Sequence, residues 1–109
     1  MARRTELRLP GRRLGSLPDS IGQLVAMQTL DLALNRLSSL PDSIGQLTAL
    51  QRLRLQNNRL RSLPDGVGRL AALEALDLGF NELGSLPACL GQLTALQRLE
   101  LRGNPVSDP

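Results

Sequence analysis

Between Leu30 and Leu50 the chain alternates apolar and polar positions in two rhythms. Leu30 and Leu32 stand two apart around Asp31, the period of a strand that buries one face. Leu37 and Leu40 follow. Beyond Pro41 the apolar residues Ile44, Leu47 and Leu50 recur at threes, the spacing of one side of a helical or 3₁₀ turn. Proline suits the opening of such a turn, where a missing N–H costs little. The pattern therefore predicts a short strand, a bend and a short helical turn.

The same order returns every 23 residues. Cut from Thr5, the chain falls into repeats 5–27, 28–50, 51–73 and 74–96 and a half repeat 97–109, with no insertion. The string LPDSIGQL at 17–24 recurs unchanged at 40–47. A unit this short cannot bury its apolar face alone, so neighbours must stack. Stacking sets each strand parallel to the next at ~4.8 Å, and five strands span ~20 Å. The expectation is one α/β solenoid domain over residues 1–109.

Each repeat reads L-x-L, then x-x-N-x-L, then x-x-L-P, then an aliphatic residue, a glycine and two spaced apolar residues. This resembles the leucine-rich repeat family, L-x-x-L-x-L-x-x-N-x-L, in its 23-residue LP-x-x-I-G-x-L form, over about residues 5 to 105. That form occurs in intracellular plant and animal proteins associated with Ras-like signalling and in many bacterial repeat proteins. The resemblance implies a short horseshoe arc with a parallel β-sheet on the concave face and short helical or 3₁₀ turns on the convex face. It also implies noncatalytic protein–protein recognition, with a small GTPase or signalling enzyme as the partner that analogy suggests.

Because the repeats superpose, each position becomes a column. Asn35, Asn58, Asn81 and Asn104 form one. The expectation, which the resemblance supports, is that their amides satisfy the backbone of the turn after each strand; a row of ligand-binding amides is the other reading. Arg12 replaces asparagine in the first repeat, so a less regular turn is expected there. Prolines 18, 41, 64 and 87 and glycines 22, 45, 68 and 91 lie in the turn segment. No G-x-G-x-x-G or G-x-x-x-x-G-K-[ST] motif accompanies them, so close packing rather than phosphate binding explains the glycines.

The outward column Arg8, Asp31, Arg54, Asp77, Glu100 places opposite charges side by side in its first four members, predicting a ladder of exposed salt bridges. Its flanks are Glu6, Thr29, Arg52, Ala75, Arg98 and Pro10, Ala33, Gln56, Gly79, Arg102. These columns vary while the leucines do not. The candidate protein-binding residues are accordingly Asp31, Arg52, Arg54, Gln56, Asp77, Phe80, Arg98 and Arg102. Arginine supplies forked donors for carboxylates, and the small residues leave room beside it. Phe80 precedes its asparagine, where the other repeats have Gly11, Leu34, Asn57 and Gly103. Phe80 and Leu34 either cover the sheet edge or anchor a partner.

Composition narrows the chemistry. Leucine builds the core, since Phe80 is the one aromatic residue. All 13 basic residues are arginine, and ten carboxylates leave a net charge of +3. There is no histidine, and Cys89 is the single cysteine, which excludes a His/Cys zinc site, a Ser-His or Cys-His pair and an internal disulfide. Cys89 aligns with Ser20, Ser43 and Gly66, and a structural role is expected of it. Carboxylates on an open face lack the cleft an acid–base pair needs, so no catalysis and no cofactor are expected.

Repeat three carries Arg52, Arg54, Arg59, Arg61 and Arg69 against Asp65, whereas repeat four carries Glu74, Asp77 and Glu82 without arginine. Such banding suits a mixed-charge protein surface better than a phosphate backbone, which needs a continuous basic track. Arginine-mediated nucleic-acid binding and a consensus-like scaffold without a ligand are the alternatives. No signal-peptide run follows MARRTELRLPGRR and no ~20-residue apolar span occurs, so a cytoplasmic, non-membrane setting is expected. Arg3, Arg4, Arg12 and Arg13 are expected to shield the first strand; without them a second copy pairs at the leucine edge, so monomer and edge-to-edge dimer are both open.

Overall fold

The structure, a computed structural model, describes residues 4–85 and 87–106. Arg3, one of the expected edge-shielding residues, and Leu86 of the last Leu-Pro step lie outside them. Five three-residue strands, β1 (Glu6–Arg8), β2 (Thr29–Asp31), β3 (Arg52–Arg54), β4 (Ala75–Asp77) and β5 (Arg98–Glu100), form one parallel sheet in the order β1-β2-β3-β4-β5. Leu7 pairs with Leu30, Leu30 with Leu53, Leu53 with Leu76 and Leu76 with Leu99, the register that the 23-residue period demands.

On the opposite side run four 3₁₀ turns, Asp19–Gln23, Asp42–Gln46, Asp65–Arg69 and Ala88–Gln92. Each is preceded by a proline in an extended conformation, with φ between −74° and −62°. Proline thus occupies the capping position rather than the first turn residue. Its carbonyl accepts the opening bond, as from Ile44 N–H to Pro41 at 3.1 Å.

Leu30, Leu32, Leu37, Leu40, Ile44, Leu47 and Leu50 are all buried, so both rhythms of repeat two serve one core. The core continues through Leu53, Leu55, Leu60, Val67, Leu70, Leu73, Leu76, Leu78 and Leu83, and leucines of the first and last repeats are covered on one side.

The asparagines form a continuous ladder. Asn58 Nδ2–H donates to the carbonyls of Leu32 (2.9 Å) and Leu55 (3.1 Å), and its Oδ1 accepts from Leu37 N–H at 3.0 Å. Asn81 repeats this arrangement on Leu55, Leu78 and Leu60 N–H. Each carbonyl between successive asparagines therefore takes two side-chain donors. Where Arg12 interrupts the column, Asn35 Oδ1 takes both Arg12 N–H and Leu14 N–H, each at 2.9 Å, and Arg13 adopts a φ of +58° found in no other described turn at that position. The first turn is irregular for want of its own amide.

A second column carries an unusual backbone. Gly11, Leu34, Asn57, Phe80 and Gly103, the residues before each asparagine position, have φ from +56° to +79°. Glycine and asparagine tolerate this left-handed region; a leucine or phenylalanine there costs about 1 kcal/mol.

Candidate functional site

The strands present alternate residues to the concave face because the leucines between them, Leu30, Leu53 and Leu76 above all, are committed to the core. Over β2 that face is closed: Thr29, Asp31 and Ala33 are buried, short residues flanked by the longer side chains of β1 and β3. Over β3 to β5 it is open, with Arg52, Arg54, Arg98, Glu100 and Arg102 exposed and Gln56, Ala75 and Asp77 half-buried. The structure therefore gathers Arg52, Arg54, Gln56, Asp77, Phe80, Arg98 and Arg102 at the open end of the face, while Asp31, beside Arg54 in register, is only 8% exposed.

The salt-bridge ladder does not form among the described residues. Arg8, Asp31, Arg54 and Asp77 are neighbours in register, yet no arginine of this column pairs with an aspartate. Asp31 instead turns its Oδ1 onto the N–H of Ala33, and Asp77 does the same with Gly79, both at 3.0 Å. A short carboxylate satisfies a fixed backbone donor two residues on before it can reach a mobile guanidinium across the sheet. Arg8 pairs within its own strand with Glu6 at 2.9 Å, an exposed contact worth at most about 1 kcal/mol. The arginines of β3 and β5 are left without ion pairs among the described residues.

Two depressions mark the open end. The larger, about 610 Å³, is lined by Arg52, Arg54 and Arg98 on one charge and Glu74, Asp77 and Glu100 on the other, together with Ala75 and Gln97. The smaller, about 210 Å³, lies at the exit of the strands between Gln56, Asn57, Asp77, Gly79, Phe80, Glu100 and Arg102. The two share Asp77 and Glu100. Glu74 and Gln97 precede their strands, outside the three outward columns, which is why the pattern did not single them out. Glu100 stands in the central column but beyond its alternation, the one feature that marked it.

Phe80 is 52% exposed and Leu34 59%. The Phe80 ring lies against Gly103, where an added Cβ would stand 2.8 Å from Cε1. Both readings of this residue therefore keep a footing: one side of the ring packs on backbone and the rest is open. Gln56 Oε1 is sealed from solvent with no donor among the described residues.

Cys89 is buried in the turn segment. Burial, and secondarily the Asp65 carboxylate, push its thiol above the ordinary range, keeping it protonated and consistent with a packing role. Among the described residues no group of three His, Cys, Asp or Glu side chains is placed to hold a metal ion, and no helix is long and apolar enough to cross a membrane.

A family model described as a leucine-rich repeat region matches residues 6–108. No curated protein matches the chain by sequence. Among solved structures, a leucine-rich repeat protein of Leptospira interrogans shares 46% identity over 84% of this chain with a TM-score of 0.83, although the chain spans only 24% of that protein. The leucine-rich repeat domain of APL1B superposes with a TM-score of 0.88 at 25% identity, over 96% of this chain and 32% of that one. The BIR2 ectodomain from Arabidopsis thaliana gives 0.80 at 33% identity, over 94% and 56%.

Proposed function

The chain belongs to the leucine-rich repeat family, and on that premise we propose that it is a noncatalytic module that binds a partner protein through the open end of its concave face. Members of this family are generally interaction modules without catalytic activity, and the fold itself is a common platform for protein–protein contacts. One observation carries the proposal. The residues fixed by packing repeat from unit to unit, while those over β3 to β5 change at every strand and surround a depression with unpaired arginines and carboxylates. Apart from Asp77 Oδ1, which holds Gly79 N–H, these groups are not consumed by the fold, so an opposite array on a partner meets donors and acceptors at little folding cost.

A signalling role, with a small GTPase or signalling enzyme as partner, rests on the likeness to the Ras-associated subgroup, and a cytoplasmic location is the expectation drawn above from the sequence. The BIR2 match is an ectodomain, so fold similarity alone does not choose a compartment.

The test is capture from a native lysate with the wild type beside an Arg54→Gln, Asp77→Asn double variant. Asparagine keeps an acceptor for Gly79 N–H, so the fold is retained and the melting curve stays within about 1 kcal/mol of wild type. Affinity for the captured protein is expected to fall about tenfold or more. Equal affinity moves the binding surface off this face.

A further inference from the structure

We infer that the smaller depression at the exit of β3 to β5 receives an arginine side chain of the partner. The inference rests on the concave-face reading above and adds the chemistry of one contact. Of the charged groups that line the depression two are carboxylates, Asp77 and Glu100, and one is a cation, Arg102, with the Phe80 ring and the amides of Gln56 and Asn57 beside them. Glu100 is exposed, with no ion pair and no side-chain hydrogen bond among the described residues. Asp77 spends Oδ1 on Gly79 N–H and keeps the rest of its carboxylate for another donor. Gln56 Oε1 has no donor, and an amide torsion is soft enough to turn it toward one. The half-exposed Phe80 ring supplies a face on which a planar guanidinium stacks. Arg102 on the rim is the single opposing charge.

Phe80 strengthens the case. It stands in a backbone column where glycine and asparagine sit without strain, and there it exposes half of its surface. One side of the ring packs on Gly103 and the other stays open beside the carboxylates, where a planar cation can stack. An incoming anion meets two carboxylates and an electron-rich ring, and an apolar side chain leaves Gln56 unsatisfied. A guanidinium complements the two carboxylates and the ring.

The experiment titrates N-acetyl-arginine-N-methylamide into isotopically labelled protein at low salt, following backbone amide shifts, with the corresponding glutamate derivative in parallel. Saturable shifts centred on Gly79, Phe80 and Arg102, weakened by salt and absent with the glutamate probe, are expected. Phe80→Asn and Glu100→Gln should each weaken the arginine probe about fivefold. Asn57 already holds the same backbone conformation as Phe80, so the asparagine variant keeps the fold. Arg102→Gln should strengthen binding by a similar factor, a change of sign that a purely structural role does not produce. Shifts spread over all carboxylates, a response to the glutamate probe at these amides, or variants that bind equally well overturn the inference. If the arginine probe fails while the Arg54, Asp77 variant still loses its partner, the concave-face reading stands and the arginine pocket falls. If the probe binds here and that variant captures its partner undiminished, the general reading falls instead.

Discussion

An Asn58→Ala variant should lose about 3 kcal/mol of folding stability, seen as a lower urea midpoint. The three shortest bonds of the Asn58 amide tie backbone groups from two repeats: it donates to Leu32 and Leu55 and accepts from Leu37 N–H. Alanine removes all three bonds at once. The consequences for the partners differ. The Leu32 carbonyl retains Asn35 and the Leu55 carbonyl retains Asn81, each at 2.9 Å, so neither is stranded. Leu37 N–H, in contrast, points into the buried turn and loses its acceptor. A stranded buried donor costs about 1–3 kcal/mol and the two bonds lost at carbonyls that keep another donor add about 1 together, against a total stability of about 5–15 for such a domain. Asn104→Ala, which breaks the equivalent bonds at the half-exposed last turn, should cost about 1 kcal/mol because water replaces part of what is lost. Equal losses at the two sites would mean that the ladder is no stronger in the middle than at its end.

That ladder was legible in the sequence because an asparagine every 23 residues, after a strand and before a leucine, has one economical use. The buried row from Leu30 to Leu50 and the pairing of Leu7, Leu30, Leu53, Leu76 and Leu99 were legible for the same reason: the period sets which residues become neighbours. Adjacency does not decide which neighbour a flexible side chain chooses. Asp31 sits between Arg8 and Arg54 and bonds Ala33 N–H instead, because that donor is fixed by the same short stretch of chain. The left-handed column had a visible trace, since three of its five members are glycine or asparagine. Leu34 and Phe80 concealed it, being residues that conformational preference alone would not place there. The closed state of the face over β2 was hidden for another reason. It depends on the length of side chains on flanking strands, a property of the assembled sheet and not of any single repeat.

Gly66→Ser should destabilise the protein by about 2 kcal/mol, although it restores the letter that Ser20 and Ser43 hold in the same column. Serine fits at 43, where its hydroxyl donates to the Asp19 carbonyl at 2.8 Å. One repeat later the turns approach more closely. A Cβ on Gly66 would overlap the carbonyl oxygen of Asp42 and stand 2.9 Å from Asp42 Oδ1, the atom that accepts Gly66 N–H at 2.7 Å. From the other side, Gly66 presents its own carbonyl where a Cβ on Gly45 would lie. Backbone meets backbone on both counts, so no flexible side chain can yield, and the two turns must move apart. Separation costs about 1–3 kcal/mol of packing and weakens the Gly66–Asp42 bond, while the smaller entropy of an unfolded serine returns at most about 1. Gly91→Ala supplies the contrast: among the described residues nothing lies within 4 Å of its Cβ position, so that variant should be neutral or slightly stabilising. Urea midpoints of the two variants check the argument together. A Gly66→Ser protein as stable as wild type would show that the turns Asp42–Gln46 and Asp65–Arg69 separate freely, and close backbone packing would no longer explain the convex glycines.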